Sequence, residues 1–161
     1  MPRRKLTPEI VINPRTEELP DCTHWVIDTE TNGLDVAGIG APHYASYLGA
    51  APSNDTETVF IWTDPKLFPI EYLNDKVLVG HNVGFDLHAA SLSPKAVFDT
   101  MLAVYHNHTT ALKSLDFIAK TMGVKKIPTP QLMKEGKIDL IATTEVATYL
   151  ADDVALTNML F

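Results

Sequence analysis

The 161-residue sequence has a single cysteine, no long apolar run and a deficit of basic residues. Because Cys22 cannot form an internal disulfide, we expect a reducing, cytoplasmic compartment. No stretch is apolar for long enough to span a bilayer, and the N-terminal residues Met-Pro-Arg-Arg-Lys lack the apolar run of a signal peptide. These absences argue against a disulfide-stapled scaffold and against a membrane partner.

The charge balance restricts the classes of nucleic-acid protein that remain. Thirteen Lys and Arg residues against twenty Asp and Glu residues give a net charge of −7. A passive, tight nucleic-acid binder needs a basic surface, whereas an enzyme can obtain positive charge locally from metal ions. The basic residues that do cluster either contact phosphates or are solvated surface charge. They are Arg3, Arg4, Lys5 and Arg15, and then Lys125, Lys126, Lys134 and Lys137.

Prolines separate the first 21 residues from the rest of the chain. Pro2, Pro8, Pro14 and Pro20 interrupt a segment of little periodicity, which predicts an extended N-terminal arm over residues 1–21. The length and the apolar content of 45% fit one domain with its own core, which we assign to residues 22–161.

Apolar runs and turn signals within that domain predict an α/β fold. The predicted strands cover residues 25–27, 44–50, 58–62, 76–80 and 96–98. The predicted helices cover residues 64–73, 85–92, 100–105, 114–122 and 143 onward, with a loop at the prolines of 128–130. Strands come early and helices interleave later, which favours a mixed sheet covered by helices.

Asp28 and Glu30 stand two residues apart, directly after the apolar run at 25–27. On a strand this spacing places both side chains on one face. An unpaired acidic pair beside a buried strand is unfavourable, and carboxylate oxygens are ligands that Mg²⁺ and Mn²⁺ prefer. The pair therefore indicates a metal site, although Asp-x-Glu alone is a weak signal in an acidic chain.

Two further pairs, Asn82 with Asp86 and Tyr149 with Asp153, are each spaced four residues apart, which on a helix places both members on one side. The plain alternatives are an Asn82 N-cap with Asp86 as a first-turn acid, and a core Tyr149 with a surface Asp153. Asp152 does not share a face with Tyr149, and we expect it to be an exposed acid.

Four carboxylates in one cleft repel one another unless a cation lies between them. The set therefore predicts a divalent-metal site and phosphodiester cleavage.

Together these residues resemble the three motifs of the DEDDy 3′–5′ exonucleases, in particular the proofreading domain of bacterial and phage family A (polymerase I type) DNA polymerases. The motifs are Val-Ile-Asp-Thr-Glu-Thr-Asn-Gly-Leu-Asp at 26–35, His-Asn-Val-Gly-Phe-Asp at 81–86 and Tyr-Leu-Ala-Asp-Asp at 149–153. Segments 98–102 and 115–119 also resemble the family, so the likeness covers roughly residues 24–161. Each motif alone is weak, but three in order are a specific signal.

The resemblance implies a ribonuclease H-like fold, with a mixed five-stranded sheet and helices on both faces. It also implies two divalent metal ions, Mg²⁺ or Mn²⁺, spaced ~3.5–4 Å apart as in other two-metal sites. At the matched positions Asp28, Glu30 and Asp153 hold the first ion. Asp28 bridges to the second ion, which Asp86 supports through water. Tyr149 orients the attacking water.

The resemblance further implies a set of substrate contacts: Thr29, Leu34, Asn82 and Phe85. Leu34 matches an apolar side chain wedged near the terminal bases, with a core leucine as the plain alternative. Asn82 and Phe85 match the lining of the terminal nucleotide's pocket. The chain departs from the family between residues 99 and 115, where Lys113 is the only candidate for a residue that grips the substrate phosphate.

The leading hypothesis is a 3′–5′ exonuclease that removes nucleoside 5′-monophosphates from the 3′ end of single-stranded DNA, with a role in proofreading. RNA or short oligonucleotides are alternative substrates, because sugar choice depends on how a pocket meets the 2′-hydroxyl. A non-catalytic nucleic-acid-binding or protein-binding module is the alternative of another class. The expected protein partner is a DNA polymerase domain or a replication protein, in the cytoplasm of a bacterium or a phage-infected host.

Overall fold

The computed structural model describes residues 3–32, 44–107 and 114–161, so Leu34 and Lys113 lie outside the described residues. The strands are β1 (Arg4–Lys5), β2 (Glu9–Ile12), β3 (His24–Thr31), β4 (Ala45–Pro52), β5 (Thr58–Trp62), β6 (Val77–Gly80), β7 (Ala96–Asp99) and β8 (Val124–Lys125). The helices are α1 (Ile70–Asn74), α2 (Val83–Ala89), α3 (Thr100–Asn107), α4 (Leu115–Thr121), α5 (Gln131–Lys134) and α6 (Thr143–Leu160). Short 3₁₀ turns cover Thr16–Glu18, Pro65–Leu67 and Ile138–Leu140.

A mixed sheet in the order β2-β5-β4-β3-β6-β7 organises the molecule. β4 runs antiparallel to β3 and β5, and the other neighbours are parallel. The predicted mixed α/β architecture is confirmed. The sheet has six strands rather than the five expected, because Glu9–Ile12 of the N-terminal segment pairs with β5 along its whole length.

Helices cover both faces of this sheet, since successive residues of a strand point to opposite sides. On the α2 face, Trp25 and Ile27 pack with apolar residues of α1 and α2. On the α6 face, Val26 packs with Leu150 and Val154 of α6. The central strand β3 is therefore buried on both sides, which explains the unbroken apolar run at its start.

Helix α6 is the longest helix among the described residues and lies against β3, β4 and β5. The apolar stripe at Val146, Leu150 and Val154 is fully buried, as its spacing predicts. The expectation of an exposed Asp152 is wrong. That residue is 1% exposed, and its Oδ2 accepts a hydrogen bond from the Ile127 backbone N–H at 2.8 Å.

The predicted helix over residues 64–73 is split in two. Asp64 accepts a hydrogen bond from the Lys66 backbone N–H, which confirms the predicted start at this residue. Phe68 is extended because it precedes Pro69, so a 3₁₀ turn ends there and α1 begins only at Ile70.

A second, two-stranded sheet lies outside the main one. β1 and β8 are parallel, with Arg4 opposite Val124 and Lys5 opposite Lys125. The N-terminal segment thus contributes strands to both sheets, while its separation from residues 22–161 as an arm stays a prediction. No helix in the described ranges combines the length and the apolar run that crossing a bilayer requires.

Candidate active site

Three of the predicted metal ligands meet on the α6 face of the sheet. Asp28, Glu30 and Asp153 each offer a carboxylate oxygen, and these oxygens lie within 4.8 Å of one another. Asp28 and Glu30 share this face because they are two residues apart on β3, and a β-bulge follows Glu30. Asp153 is buried on α6, so the plain alternative of a surface acid at this position is wrong.

A glycine sets how closely α6 approaches these carboxylates. Gly49 of β4 lies directly opposite Asp28 in the strand register. A Cβ atom at this glycine would stand 2.8 Å from Leu150 Cγ and 3.0 Å from Val154 Cγ2. Since such contacts are too short for carbon atoms, the missing side chain lets α6 lie close to the sheet and brings Asp153 to β3. Nothing in the local sequence around Gly49 signals this role.

Asp86 reaches the site from the α2 face. It is 2% exposed, and its Oδ1 accepts hydrogen bonds from the Thr29 backbone N–H at 3.0 Å and from the Thr29 hydroxyl at 2.7 Å. Its charge also acts on the Asp28 carboxylate, which makes the ionised form of Asp28 less favourable. Asp86 therefore stands beside the group of three carboxylates rather than within it. Thr29, predicted to bind substrate, has its hydroxyl engaged by Asp86.

The start of α2 is fixed by Asp99 at the end of β7. Its carboxylate accepts hydrogen bonds from the backbone N–H groups of Asn82 at 3.0 Å and Val83 at 3.1 Å, and also from that of Met101 at 2.9 Å. Asn82 itself is left-handed, with φ 67°, and makes no side-chain cap. Asn82 therefore occupies the N-cap position, as the plain alternative has it, but its side chain does not cap the helix. Asp99 supplies the cap from a distant strand, and this positions Asp86 one turn further along.

Burial makes the charged forms of these carboxylates unfavourable. It raises the pKa of Glu30 to about 8 and that of Asp86 to about 7. Burial also raises the pKa of Asp153 to about 6, where the Lys126 ammonium opposes the shift. Burial, and then the Asp86 carboxylate, hold the pKa of Asp28 well above its usual range. A cation between these groups would remove the penalty of ionising them.

Lys126 already supplies one positive charge inside the site. Its Nζ lies 2.8 Å from Asp153 Oδ1, 3.2 Å from the Tyr149 hydroxyl and 4.5 Å from the centre of the Tyr149 ring. Burial would lower the pKa of Lys126, but the Asp153 carboxylate and the Tyr149 hydroxyl together outweigh burial and raise that pKa. With its side chain 7% exposed, Lys126 is not the solvated surface charge that was one alternative for it. The sequence offered no signal beyond its place in a basic cluster.

Tyr149 is held beside the carboxylates with its hydroxyl protonated. The hydroxyl is 3.0 Å from Thr129 Oγ1 and accepts a hydrogen bond from Lys126. Burial, and then the Asp153 charge, raise the pKa of Tyr149 to about 12. At neutral pH the side chain is therefore a hydrogen-bonding group that can orient a water molecule and cannot act as a base. Its partners come from the segment after β8, which the sequence predicts only as a loop.

A cavity of about 610 Å³ opens next to these groups. Its walls include Glu30, Tyr149, Phe85 and the segment from Met133 to Gly136. Gly136 has φ +71°, and a Cβ atom there would stand 2.9 Å from the Asn32 carbonyl oxygen, so this segment folds tightly against the end of β3. Phe85 and Thr29, which the resemblance implies as substrate contacts, line this cavity, whereas Asn82 is exposed at the start of α2.

The chain is similar to several solved structures. No protein-family model and no curated protein sequence matches it. The structure of Brucella melitensis NrnC bound to pGG superposes with a TM-score of 0.71 and 20% sequence identity. The match covers 96% of this chain and 78% of the NrnC chain. The same protein with bound Mg²⁺ matches 98% and 78% with a TM-score of 0.67 and 20% identity. Trypanosoma brucei RNase D in complex with RNA U12 matches 96% and 63% with a TM-score of 0.64 and 14% identity.

The chain has the mixed α/β, ribonuclease H-like fold that these structures share. At these identities the likeness concerns the fold alone.

Proposed function

We propose that the protein is a metal-dependent 3′–5′ exonuclease that hydrolyses the terminal phosphodiester of single-stranded nucleic acid and releases nucleoside 5′-monophosphates. The observation that carries this proposal is the meeting of three carboxylate oxygens within 4.8 Å, beside a buried and protonated tyrosine. Carboxylates gathered in this way, with their ionisation disfavoured by burial, are what a divalent cation stabilises.

The donor set fits Mg²⁺ or Mn²⁺, because all the oxygens are hard ligands and no cysteine or histidine belongs to the group. Asp28, Glu30 and Asp153 would hold the first ion. Asp28 and Asp86 would serve the second. When bound, the ions lower the pKa of the attacking water and stabilise the leaving 3′ oxygen. NrnC, which shares the fold, is described with bound Mg²⁺.

The chain's own residues orient the reactants. The Tyr149 hydroxyl, fixed by Thr129 and Lys126, donates or accepts a hydrogen bond to align the attacking water. Lys126 holds Asp153 in place through their ion pair. Asp86 is held by Thr29 on the opposite side of the strand, and its negative charge adds to that of Asp28, which a cation between them would neutralise.

The cavity beside Glu30 accommodates the terminal nucleotide. Its volume of about 610 Å³ lies within the range of small-molecule sites, ~300–1,000 Å³. Phe85 and Met133 offer apolar walls for a base, and Lys134 offers a positive charge at the same opening. Leu34, the predicted wedge between bases, stays a prediction because it lies outside the described residues.

The choice of sugar has support on both sides. The sequence motifs resemble DNA-proofreading domains, which favours single-stranded DNA and a polymerase or replication partner. Among the structures that share the fold, RNase D is described with RNA and NrnC with pGG, which favours RNA or short oligonucleotides. DNA specificity, a proofreading role and a cytoplasmic location remain predictions.

The decisive test incubates the protein with 5′-labelled single-stranded DNA or matched RNA, in Mg²⁺, Mn²⁺ or chelator. We expect a ladder of products shortened from the 3′ end that requires metal, and the faster substrate identifies the sugar. Asp153→Asn should abolish the ladder, whereas Asp139→Asn, which changes an exposed acid, should not. Intact substrate in every metal condition, with a folded protein by circular dichroism, would contradict the proposal and favour a binding module.

A further inference from the structure

Two basic segments that lie far apart in the sequence become neighbours in the β1–β8 sheet. Lys5 and Lys125 are register partners in this parallel pair, and both side chains are exposed. Neighbouring strands lie ~4.8 Å apart, so two ammonium groups project side by side from one face. Arg3, Arg4 and Lys120 are exposed close by along the chain, and segments 3–5 and 120–126 together hold six of the thirteen basic residues.

The paired charges have no acidic partner of their own. Within residues 3–32, 44–107 and 114–161, none of the ion pairs includes Arg4, Lys5 or Lys125. Lys5 does interact electrostatically with the buried Asp152 carboxylate, without forming an ion pair with it. Like charges directly opposite each other on neighbouring strands are destabilising. An anion that bridges the two strands would be attracted by both ammonium groups and would offset their mutual repulsion.

The same strand connects this surface to the candidate active site. Val124 is buried against α4 and α6, Lys125 points to solvent, and Lys126 turns inward to Asp153 and Tyr149. This alternation follows from the period of two along a strand. The exposed basic face therefore begins one residue from the cation inside the site. Asp116, which is 3.8 Å from Lys126, is the exposed acid at this border.

We infer that the β1–β8 sheet binds backbone phosphates of a single-stranded substrate on the 5′ side of the scissile bond. The inference rests on the proposed exonuclease function and specifies its substrate as a strand that continues well beyond the terminal nucleotides. A polyanion with regularly spaced phosphates matches a row of unpaired cations, whereas a dinucleotide ends at the catalytic cavity. The sheet therefore separates strand substrates from dinucleotides, although the net charge of the chain is −7.

The test compares a Lys5→Gln/Lys125→Gln double variant with a Lys66→Gln/Lys95→Gln control, which removes the same charge from exposed positions elsewhere. Binding of a 5′-fluorescein single-stranded 12-mer and of a labelled dinucleotide is measured by anisotropy in chelator, from 25 to 300 mM KCl. Each lost phosphate contact reduces the slope of log K against log salt by roughly 0.7, so the double variant should lose about 1.4 from its slope. At 50 mM KCl we expect its 12-mer affinity to fall about tenfold or more. The control variant and the dinucleotide should show no change.

Equal 12-mer binding and equal salt slopes for the two double variants would overturn the inference. Equally tight, Lys5- and Lys125-dependent binding of labelled polyglutamate would also overturn it, because the surface would then recognise acidic chains in general. Cleavage in Mg²⁺ separates this outcome from failure of the proposed function. The double variant should hydrolyse the dinucleotide at the wild-type rate and the 12-mer more slowly. If wild-type protein cleaves neither substrate, the exonuclease proposal fails, while the binding result still decides the role of the sheet.

Discussion

Asp153 and Asp86 reach the carboxylate site from opposite faces of the same strand, and different forces hold them there. Asp153 is placed by the close packing of α6 over Gly49 and is paired with the charged Lys126. Asp86 is placed by neutral hydrogen bonds from Thr29, on a helix whose start is fixed by Asp99. The α6 side should therefore respond to changes of volume and charge, and the α2 side to loss of single hydrogen-bond donors.

The largest effect is expected from pH in the absence of metal, where both sides contribute. The folded-state pKa values of Asp153, Asp86 and Glu30, about 6, 7 and 8, lie above the ordinary values of 3.8 to 4.5. Their contribution to stability is therefore present near pH 4 and is lost as the pH rises through 6 to 8. In chelator, we expect the free energy of unfolding to fall by more than about 3 kcal/mol between pH 5 and pH 8.5. Urea denaturation at each pH measures this.

Saturating Mg²⁺ should reduce that loss, because bound cations stabilise the ionised carboxylates. A stability that is flat with pH in chelator, or that falls equally with Mg²⁺ present, would contradict the burial argument for these three groups.

The next effect is on the α6 side, from Lys126→Met. Breaking a buried ion pair by removing one partner costs about 3 kcal/mol or more, and Asp153 would lose its counter-charge. We expect about this loss in chelator at pH 8, and a smaller loss with Mg²⁺ present. Lys76→Met is the matched control. Lys76 also lies over a tyrosine ring, at 4.6 Å, but its acidic partner Asp21 is exposed, so its removal should cost about 1 kcal/mol or less. Equal losses for the two variants would show that the charge on Asp153 does not depend on Lys126.

A smaller effect should follow from Gly49→Ala, which adds volume between β4 and α6. Overpacking of a well-packed core costs about 1–3 kcal/mol, and the displaced α6 should weaken Mg²⁺ binding by moving Asp153. Thermal unfolding and metal titration by calorimetry measure the two effects. Gly84→Ala is the control, because a Cβ atom there meets nothing within 4 Å. A neutral Gly49→Ala variant with unchanged metal affinity would refute the view that packing positions Asp153.

The smallest effect is expected on the α2 side, from Thr29→Val. The substitution removes the hydroxyl donor to Asp86 and leaves the backbone donor, so we expect a loss of about 1.5 kcal/mol. The activity should fall mainly at low Mg²⁺ and recover as the metal is raised, because we propose that Asp86 serves the second ion. Thr29→Ser keeps the hydroxyl and should retain most of the activity and stability. If Thr29→Ser loses as much as Thr29→Val, the methyl group rather than the hydrogen bond is what matters.

Much of the site could be predicted because its geometry is local. The period of two on β3 puts Asp28 and Glu30 on one face, and the apolar stripe of α6 indicates which side of that helix meets the sheet. The order of the motifs, together with apolar strands that run into polar residues, was sufficient to predict a mixed α/β fold.

The remaining features depend on contacts between distant segments. Lys126 follows a two-residue strand in a region without periodicity, so its burial could not be predicted. The role of Gly49 depends on α6, which packs over it and is distant in the sequence. Asp99 caps α2 from the end of β7, a strand that follows this helix in the sequence. β2 is four residues long among prolines, and its pairing with β5 adds the sixth strand.

The internal lysine also sets the charge balance of the assembled centre. Four ionised carboxylates and one ammonium leave three negative charges among Asp28, Glu30, Asp86, Asp153 and Lys126. Two divalent ions would reverse this to a single positive charge, which one phosphodiester group neutralises. Without Lys126 the same two ions would only reach neutrality. On this count Lys126 gives the site, with two metal ions bound, its net positive charge and therefore its attraction for an anionic strand. The same positive charge would slow release of the mononucleotide product, which carries more negative charge than a diester.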